Sequence, residues 1–319
     1  MLRYPHLIIL TVVFISIVSH AKSQDPPRLE PDDMILAPYT IPIVNVEYKA
    51  ILFQVAKDAS SQWSRFFIRL NGDPVWCSER KDLHDKTVNG LAYLSDFPLE
   101  EAERMMTSPE WTKAIFVRHP KPRLLSAYLD KVLKRKKGYK GLCRVYASLL
   151  NQQDGRDHDD LDLDYNHCFL KRDDFGFFLY NITTVLSDVH WRSIHSLIDK
   201  KWWPHVNFVG KMTTLSEDAK EFLDSIHSNI DNVSAWERIG STGWGANERN
   251  CSAEGTDPFL AERRNRHQTD ARDKMMDYYT PELENFVESH WGDDLNNHYF
   301  DLEKIKLFGY YDKTIYEGK

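Results

Sequence analysis

The chain has 319 residues and a formal net charge of −7, with 42% hydrophobic and 28% charged residues. This length allows one large domain or two small ones, and the apolar content is enough to bury a sizeable core. The acidic balance argues against a general nucleic-acid binder, because such proteins are usually basic, but it leaves room for a local basic site for an anionic ligand.

The N-terminus, MLRYPHLIILTVVFISIVSHAKSQ, carries an apolar run from Leu7 to Val18 behind Arg3. The run is too short for a spanning helix, which needs roughly 20 apolar residues. It fits the core of a signal peptide over residues 1–21 with cleavage after Ala21, and a short uncleaved signal anchor is the alternative. Either segment sends the rest of the chain into the secretory lumen.

The N-glycosylation sequons and the cysteines agree with a location in the secretory lumen. N-x-S/T triplets begin at Asn181, Asn232 and Asn250. The four cysteines are Cys77, Cys143, Cys168 and Cys251. An even number is compatible with two disulfides in an oxidising compartment. Of the three possible pairings we favour Cys143 with Cys168, because these two bracket one polar insertion.

Short apolar runs then alternate with helical patterns. Residues 22–44 are polar and proline-rich, which predicts an extended stem before a single domain over residues 45–319. Buried parallel strands are predicted at YKAILFQV (48–55), KAIFVR (113–118) and NFVGK (207–211). Helices are predicted at 60–70, 100–106 and 121–137 and after TTLSEDA (213–219). The alternation indicates an α/β fold, a P-loop-like parallel sheet flanked by helices. The acidic segment 152–166 is interpreted as a solvated loop.

The segment VAKDASSQW (55–63) places a short loop between a predicted strand and a helix start. Free backbone N–H groups and the positive end of the helix dipole favour an anion there. Ser60 and Ser61 add hydroxyl donors, and Lys57, expected to lie exposed on the loop, adds a full charge. The G-x-x-x-x-G-K-[ST] pattern of a nucleotide loop is missing. A helix capped by Ser60 is the alternative.

A second candidate anion site is FVRHPKPRLLSAY (116–128), with Arg118 at a strand end and Ser126 in the following helix. Helix geometry brings both residues to the end of the sheet where α/β proteins bind ligands.

Together the two stretches resemble the Golgi carbohydrate sulfotransferases. That family has a 5′-phosphosulfate loop of the form PK-x-[AG]-[ST]-[ST], here AKDASS, and a 3′-phosphate motif R-[DE]-P-x-x-R-L-x-S-[AY]-[YF], here RHPKPRLLSAY. The resemblance runs from about residue 48 to FGYY (308–311), and it implies 3′-phosphoadenylyl sulfate (PAPS) as co-substrate. The donor-binding residues that it implies are Lys57, Asp58, Ala59, Ser60, Ser61, Gln62, Arg118 and Ser126.

A third block, DVHWR (188–192) followed by NFVGKMTTLSEDA, is similar to the membrane-bound branch that sulfates chondroitin, dermatan and related glycans. It implies a Golgi-lumenal enzyme with a glycan acceptor, either glycosaminoglycan-like or an N- or O-glycan, and no nucleic-acid partner.

Two positions depart from the family pattern. Ala56 replaces a proline, at a cost in loop rigidity, and His119 replaces an acidic residue and puts a potential cation beside the phosphate site.

Transfer of a sulfuryl group is an in-line displacement in which Lys57 can stabilise charge on the leaving phosphate. The acceptor hydroxyl needs a base, for which histidine is the usual choice, and no metal is required. The resemblance favours His84 as the base, with a surface histidine as the alternative. His190 is the second candidate base or an acceptor contact, and it could equally be a packed structural histidine. If neither histidine serves, a carboxylate is next: Asp82, Asp85 or Asp188.

Acceptor contacts are less well defined. Arg192 could hold an acceptor carboxylate or sulfate, or form a surface ion pair. Trp202 and Trp203 could stack on sugars or pack in the core, and the basic run 131–140 is typical of a solvated helix end. Arg263, Arg264 and His267 lie where the family has a loop that closes over the nucleotide.

Three rival functions remain: a tyrosyl-protein sulfotransferase, an inactive glycan-binding relic and a nucleotide kinase. The kinase is disfavoured by the missing glycine-rich loop and by the secretory start.

Overall fold

The computed structural model describes residues 26–36, 40–74, 76, 83, 85–154, 160–240 and 269–308. Several predictions fall outside these ranges: the N-terminal segment, Cys77, Asp82, His84, Asn250, Cys251, Arg263, Arg264 and His267. Among the helices of the described ranges, none is long and apolar enough to cross a membrane.

A five-stranded sheet in the order β3-β1-β2-β4-β5 forms the centre of the fold. The strands are β1 (Ile43–Asn45), β2 (Ala50–Phe53), β3 (Ala92–Tyr93), β4 (Thr112–Val117) and β5 (Phe208–Lys211). The three predicted strands are β2, β4 and β5, and they pair in parallel. The α/β class is therefore confirmed.

The sheet is mixed rather than parallel throughout, because β1 runs antiparallel to both β2 and β3. Residues 46–49 form a tight turn between β1 and β2, and so short a connection can only join antiparallel strands. The sequence interpretation missed β1 because it assigned Ile43 and Val44 to the stem.

Helices pack around the sheet and form a second layer beyond it. The α-helices are α1 (Ser60–Leu70), α2 (Leu99–Thr107), α3 (Pro120–Ala127), α4 (Lys136–Asp154), α5 (Asp160–Leu170), α6 (Phe175–Phe177), α7 (Thr183–Val185), α8 (Leu215–Ser225), α9 (Met275–Tyr278), α10 (Pro281–His290) and α11 (Gly292–Leu295). The predicted helix 121–137 is interrupted: α3 passes into a π-helical turn at Tyr128–Leu133 before α4 begins.

The core has two parts, and the apolar residues of α3 belong to the second. The first surrounds the sheet and contains Trp63, Phe116 and Phe222 in mutual ring contact. The second is helical and is centred on Tyr128 and Phe178. Trp202 and Trp203 are fully buried in the sheet core, so the packing interpretation of this pair is correct and the sugar-stacking one is wrong.

Residues assigned to the stem also contribute to the core. Leu29, Ile35 and Ile41 are buried among the sheet residues, and the Met34 N–H donates to Asp199 Oδ2 at 2.6 Å. Residues 29–36 and 40–44 of the predicted stem therefore contain side chains that pack against the sheet.

The described parts of the acidic segment, residues 152–154 and 160–166, are helical, so the loop interpretation is wrong for them. Helix α4 continues to Asp154, and α5 begins at Asp160. A disulfide joins Cys143 to Cys168, which confirms the favoured pairing. Tyr139 and Phe169 also meet, with ring centroids 6.4 Å apart. Contacts between distant residues hold this acidic helix in place, and local composition does not report them.

Lys121 fastens the C-terminal segment to α3. Its side chain is fully buried, and Nζ donates to Glu284, to Glu288 Oε1 at 2.8 Å and to the carbonyl oxygen of Ile305 at 2.5 Å. Glu284 in turn accepts from the N–H groups of Leu307 and Phe308 at 2.9 and 3.1 Å. The residues after α11 are thereby held across the end of α10.

We expect the Cys143→Ser/Cys168→Ser variant to lose about 3 kcal/mol of unfolding free energy. The bond closes a loop with a sequence separation of 25 residues, and cross-links of that span restrict the unfolded chain by roughly this amount. Chemical denaturation should show the loss. Reductant should lower the stability of the wild-type chain by more than that of the variant, in which only Cys77 and Cys251 remain; a variant as stable as the oxidised wild type would contradict the prediction.

Candidate active site

The two sequence motifs meet at one edge of the sheet. The loop 54–59 follows β2, and Arg118 follows β4. Because β2 and β4 are parallel neighbours, both segments leave the sheet at its carboxyl edge, where ligands bind in open α/β folds. Arg118 Nη1 donates to the carbonyl oxygen of Lys57 at 3.1 Å, so the first motif is hydrogen-bonded directly to the second.

The backbone of the first loop has the form of an anion cradle. Lys57 and Ala59 adopt left-handed conformations with φ of 73° and 58°, which non-glycine residues adopt only at an energetic cost. Ala59, not Ser60, precedes α1, and it makes no side-chain cap hydrogen bond. Across the described ranges, the N–H groups of Ser60 and Ser61 have no acceptor. This arrangement suits an oxyanion.

Lys57 is not the exposed loop residue that we expected. Its Nζ lies 2.5 Å from Asp130 Oδ2, and the two side chains are only 7% and 2% exposed. Burial lowers the pKa of Lys57 to about 8, although the hydrogen bond and charge of Asp130 oppose the shift. Burial therefore opposes the positive charge of Lys57, and Asp130 supports it.

Arg123 joins the first loop to the segment that contains His190. Its guanidinium is 1% exposed. Nε donates to the Ala56 carbonyl at 3.1 Å, Nη1 to the Arg192 carbonyl at 2.6 Å and Nη2 to the Val189 carbonyl at 2.9 Å. These three bonds hold the backbone on either side of His190 against the start of the loop.

Asp58 faces the protein interior. Its Oδ1 lies 4.0 Å from Arg123 Nε. Burial raises the pKa of Asp58 to about 7, against the opposing charges of Arg123 and Arg118. Within the loop, Asp58 therefore offers a ligand its backbone and not its carboxylate. The Gln62 N–H is also engaged, since it donates to the Ala59 carbonyl at 2.9 Å.

A cavity of about 190 Å³ lies at the carboxyl ends of β4 and β5. It is lined by Val117, Arg118, His119, Pro122, Lys211, Met212, Thr213, Arg272, Leu302 and Glu303. Its three cationic residues are Arg118, Lys211 and Arg272, of which Lys211 pairs with Asp301 at 2.7 Å and Arg272 with Glu303 at 3.0 Å. The cavity can admit a phosphate group that competes with these surface carboxylates.

Two neighbours of the cavity differ from expectation. Burial, together with the charge of Lys121, lowers the pKa of His119 to about 3. Its Nδ1 accepts from the Lys121 N–H at 3.2 Å, so His119 is neutral and the extra cation expected there is wrong. Ser126 is buried and its Oγ accepts from Thr269 at 3.0 Å; it does not line the cavity.

His190 has the contacts of a general base. Its Nδ1 lies 2.5 Å from Asp188 Oδ1, which also accepts from the His190 N–H at 2.8 Å. Because a carboxylate only accepts, Nδ1 carries the proton and Nε2 keeps a lone pair. Burial lowers the pKa of His190, and the charges of Lys131 and Lys57 lower it further, against the effect of Asp188. His190 is therefore neutral at pH 7 and close to Lys57.

The sequence interpretation missed four residues of this region: Arg123, Asp130, Lys211 and Arg272. Two of them, Arg123 and Asp130, could have been recognised from the sequence. Arg123 belongs to the motif RHPKPRLLSAY, and Asp130 is the single acidic residue in the apolar helix LLSAYLDKVL. Lys211 ends the predicted strand 207–211, but its approach to Arg118 depends on the sheet order. Arg272 lies in the segment 262–274, which the resemblance places in a loop over the nucleotide, but it was not selected as a contact. Asp85, one of the alternative carboxylate bases, lies on the surface, where its carboxylate accepts from the N–H and the hydroxyl of Thr87.

Comparison with known proteins agrees with this geometry. A family model described as the sulfotransferase family matches residues 42–286. The chain belongs to the sulfotransferase family. Similar curated proteins are carbohydrate sulfotransferase 9 of Homo sapiens, 29% identical over 201 residues, and carbohydrate sulfotransferase 10 of Xenopus laevis, 32% identical over 90 residues. The alignments cover 59% and 28% of this chain but only 42% and 25% of the relatives. No solved structure matches the chain.

The Lys57–Asp130 pair gives a stability prediction that replaces the expectation from an exposed lysine. Lys57→Met leaves the Asp130 carboxylate buried without its closest partner, and removing one member of a buried pair costs about 3–5 kcal/mol. Asp130→Asn in the same chain should recover most of this loss. Urea denaturation of the single and double variants measures both effects, and a single variant as stable as wild type would show that the pair contributes nothing.

Proposed function

We propose that this protein transfers a sulfuryl group from PAPS to a hydroxyl of a glycan. The observation that carries the proposal is the meeting, at one sheet edge, of an anion cradle with Lys57, a cationic cavity at Arg118 and a histidine–carboxylate pair at His190. The first two suit the 5′-phosphosulfate and 3′-phosphate ends of the donor, and the third suits removal of a proton from the acceptor.

The reaction needs only groups that the site contains. The acceptor oxygen attacks sulfur as the bond between sulfur and the bridging phosphate oxygen breaks, and the proton passes to His190 Nε2. Asp188 orients the ring and stabilises the imidazolium that forms. Lys57 and the loop N–H groups stabilise the charge that develops on the leaving phosphate. Among the described residues, no cluster of histidine, cysteine and carboxylate side chains could hold a metal.

We also place the enzyme in the secretory lumen, in keeping with the Golgi address that the family resemblance implies. The signal-like start of the sequence, the Cys143–Cys168 disulfide and the sequons support this placement. Whether the first residues are cleaved or retained as an anchor is tested by N-terminal sequencing of the secreted or membrane-bound product.

Transfer of labelled sulfate from PAPS to a panel of glycans and tyrosine peptides tests the proposal. Labelled glycan supports it, and labelled peptide alone would favour a tyrosyl-protein sulfotransferase. Glycan binding without any transfer would identify a donor-site relic. The Lys57→Met/Asp130→Asn variant, which keeps the pair neutral and the fold stable, is the inactive control.

Arg118→Ala should weaken binding of 3′-phosphoadenosine 5′-phosphate far more than binding of adenosine 5′-phosphate. Loss of a charge-assisted contact costs roughly tenfold to more than a hundredfold in affinity. Calorimetry with both nucleotides on the same variant makes the comparison independent of any general loss of folding. Equal losses for the two ligands would show that Arg118 does not recognise the 3′ group.

His190→Ala should lower the turnover number by roughly 10²–10⁴-fold, the usual share of a general base, with little change in donor affinity. The wild-type rate should fall on the acid side as His190 becomes protonated, and because its pKa is lowered this limb should lie below pH 6.5. Asp188→Asn removes an effect that raises the pKa, so it should move the limb to still lower pH. A fully active His190→Ala variant would return the assignment to His84.

A further inference from the structure

A short acidic segment near the C-terminus supplies one wall of the cavity at Arg118. Residues 301–304, which we call the acidic strap, have the sequence DLEK, and Leu302 and Glu303 line the cavity. The cations Arg118 and Lys211, which lie at the carboxyl ends of β4 and β5, line it as well. The negative charge at the cavity therefore comes from the strap, and the sheet edge supplies positive charge.

Two ion pairs join the strap to the cations of the cavity. Asp301 Oδ2 lies 2.7 Å from Lys211 Nζ. Glu303 binds Arg272 with both oxygens, since Oε1 lies 3.0 Å from Nη1 and Oε2 accepts from Nη2 at 3.0 Å. This forked contact is the one that arginine also makes with a phosphate group. Glu303 therefore occupies N–H groups of Arg272 that a phosphate in the cavity would use.

The strap is anchored on both sides. Before it, the fully buried ring of Phe300 packs edge-on against Trp203, with ring centroids 5.1 Å apart. After it, Lys121 Nζ donates to the carbonyl oxygen of Ile305 at 2.5 Å. Because both anchors are buried in the fold, the four residues between them stay beside the cavity even when their own contacts break.

Between the anchors, the strap is weakly attached. In the part of the chain that the structure describes, its backbone N–H and carbonyl groups make no hydrogen bond. Asp301 has a φ of 42°, a left-handed conformation that is unfavourable for a non-glycine residue. The partly buried Leu302 and the two ion pairs are what hold the strap, and exposed ion pairs contribute little stability. A ligand can therefore displace the two carboxylates without disturbing either anchor.

We propose that Asp301 and Glu303 form an internal competitor for the nucleotide: they occupy cations of the cavity in the free protein, and a ligand phosphate binds there by displacing them. The inference rests on the proposed function for the identity of the ligand. Such a competitor lowers the apparent affinity of every ligand that enters the cavity by the same factor. It weakens retention of the product, 3′-phosphoadenosine 5′-phosphate, as much as binding of PAPS, and so it favours product release.

Calorimetry with 3′-phosphoadenosine 5′-phosphate and adenosine 5′-phosphate on the full chain tests the competitor. Glu303→Gln removes the charge and keeps the size of the side chain. It should bind the bisphosphate roughly two- to fivefold more tightly than wild type does, the size of one exposed ion pair. Its affinity for adenosine 5′-phosphate should not change, because that nucleotide has no 3′ group to enter the cavity. Asp301→Asn/Glu303→Gln should gain roughly tenfold for the bisphosphate.

Two further variants separate competition from a general change of charge. Glu110→Gln removes the carboxylate of another exposed ion pair, with Lys49, just before β4 at the amino edge of the sheet, so its affinity for either nucleotide should equal that of wild type. Glu303→Asp keeps the charge on a shorter side chain, so its affinity for the bisphosphate should lie between those of wild type and Glu303→Gln. Thermal melting of each variant checks that the fold is retained.

An unchanged affinity of Glu303→Gln for the bisphosphate would overturn the inference and leave the proposed function intact. A weaker affinity would also overturn it, since Glu303 would then orient Arg272 for the ligand. Equal tightening of both nucleotides, or the same gain in Glu110→Gln, would show that only net charge matters.

If the wild-type chain binds neither nucleotide, the proposed donor is wrong, and inorganic phosphate then tests the competitor by itself. Phosphate should raise the melting temperature of Glu303→Gln by more than that of wild type or of Glu110→Gln. Equal shifts in the three proteins, or no shift in any of them, would refute the inference.

Discussion

The buried charge of Arg123 is the constraint on which the site depends. A guanidinium cannot lose its proton in a protein, and burial without partners would be prohibitively costly. This one is satisfied by carbonyl oxygens at Ala56, Val189 and Arg192. Two segments more than a hundred residues apart in sequence must therefore keep these carbonyls pointed at one side chain. The proximity of Lys57 to His190 follows from that requirement.

The loop 54–59 is strained, and the charge of its lysine is neutralised by Asp130. Two non-glycine residues, Lys57 and Ala59, are in the left-handed conformation with one residue between them. Each conformation costs roughly 1–2 kcal/mol. The conformation leaves first-turn N–H groups of α1 without protein acceptors, and such strain is characteristic of ligand sites. In the absence of a ligand, Asp130 pairs with Lys57, so the cradle carries no unpaired buried cation.

Charged side chains at the rest of the carboxyl edge of the sheet are likewise paired with groups of opposite charge or with carbonyl oxygens. Lys121 is buried completely, and Glu284, Glu288 and a carbonyl oxygen satisfy it. This holds the C-terminal segment near the cavity, where Asp301 and Glu303 neutralise Lys211 and Arg272. Around the cavity, Lys211 and Arg272 are thus balanced by surface carboxylates that an anionic ligand can replace. The guanidinium of Arg192 donates instead to the hydroxyl oxygen of Ser187.

The sequence by itself determined the strands that carry the site and the motifs at their ends. Buried parallel strands are continuous apolar runs, so β2, β4 and β5 were recognisable, and the family resemblance placed Lys57 and Arg118 after two of them. The disulfide was also predicted correctly, because its cysteines bracket one segment. These features are local, or they are fixed by residue type and spacing within a few tens of residues.

Only the tertiary structure decided the properties that depend on burial and on distant partners. The helical form of residues 160–170 depends on packing that composition does not report. Asp130 became the partner of Lys57 across 73 residues. His119 turned from an expected cation into a neutral cap because burial opposes its charge. For Lys57 and His119 the deciding quantity is the loss of water around a charged group, and it is set by the whole chain folded around that group.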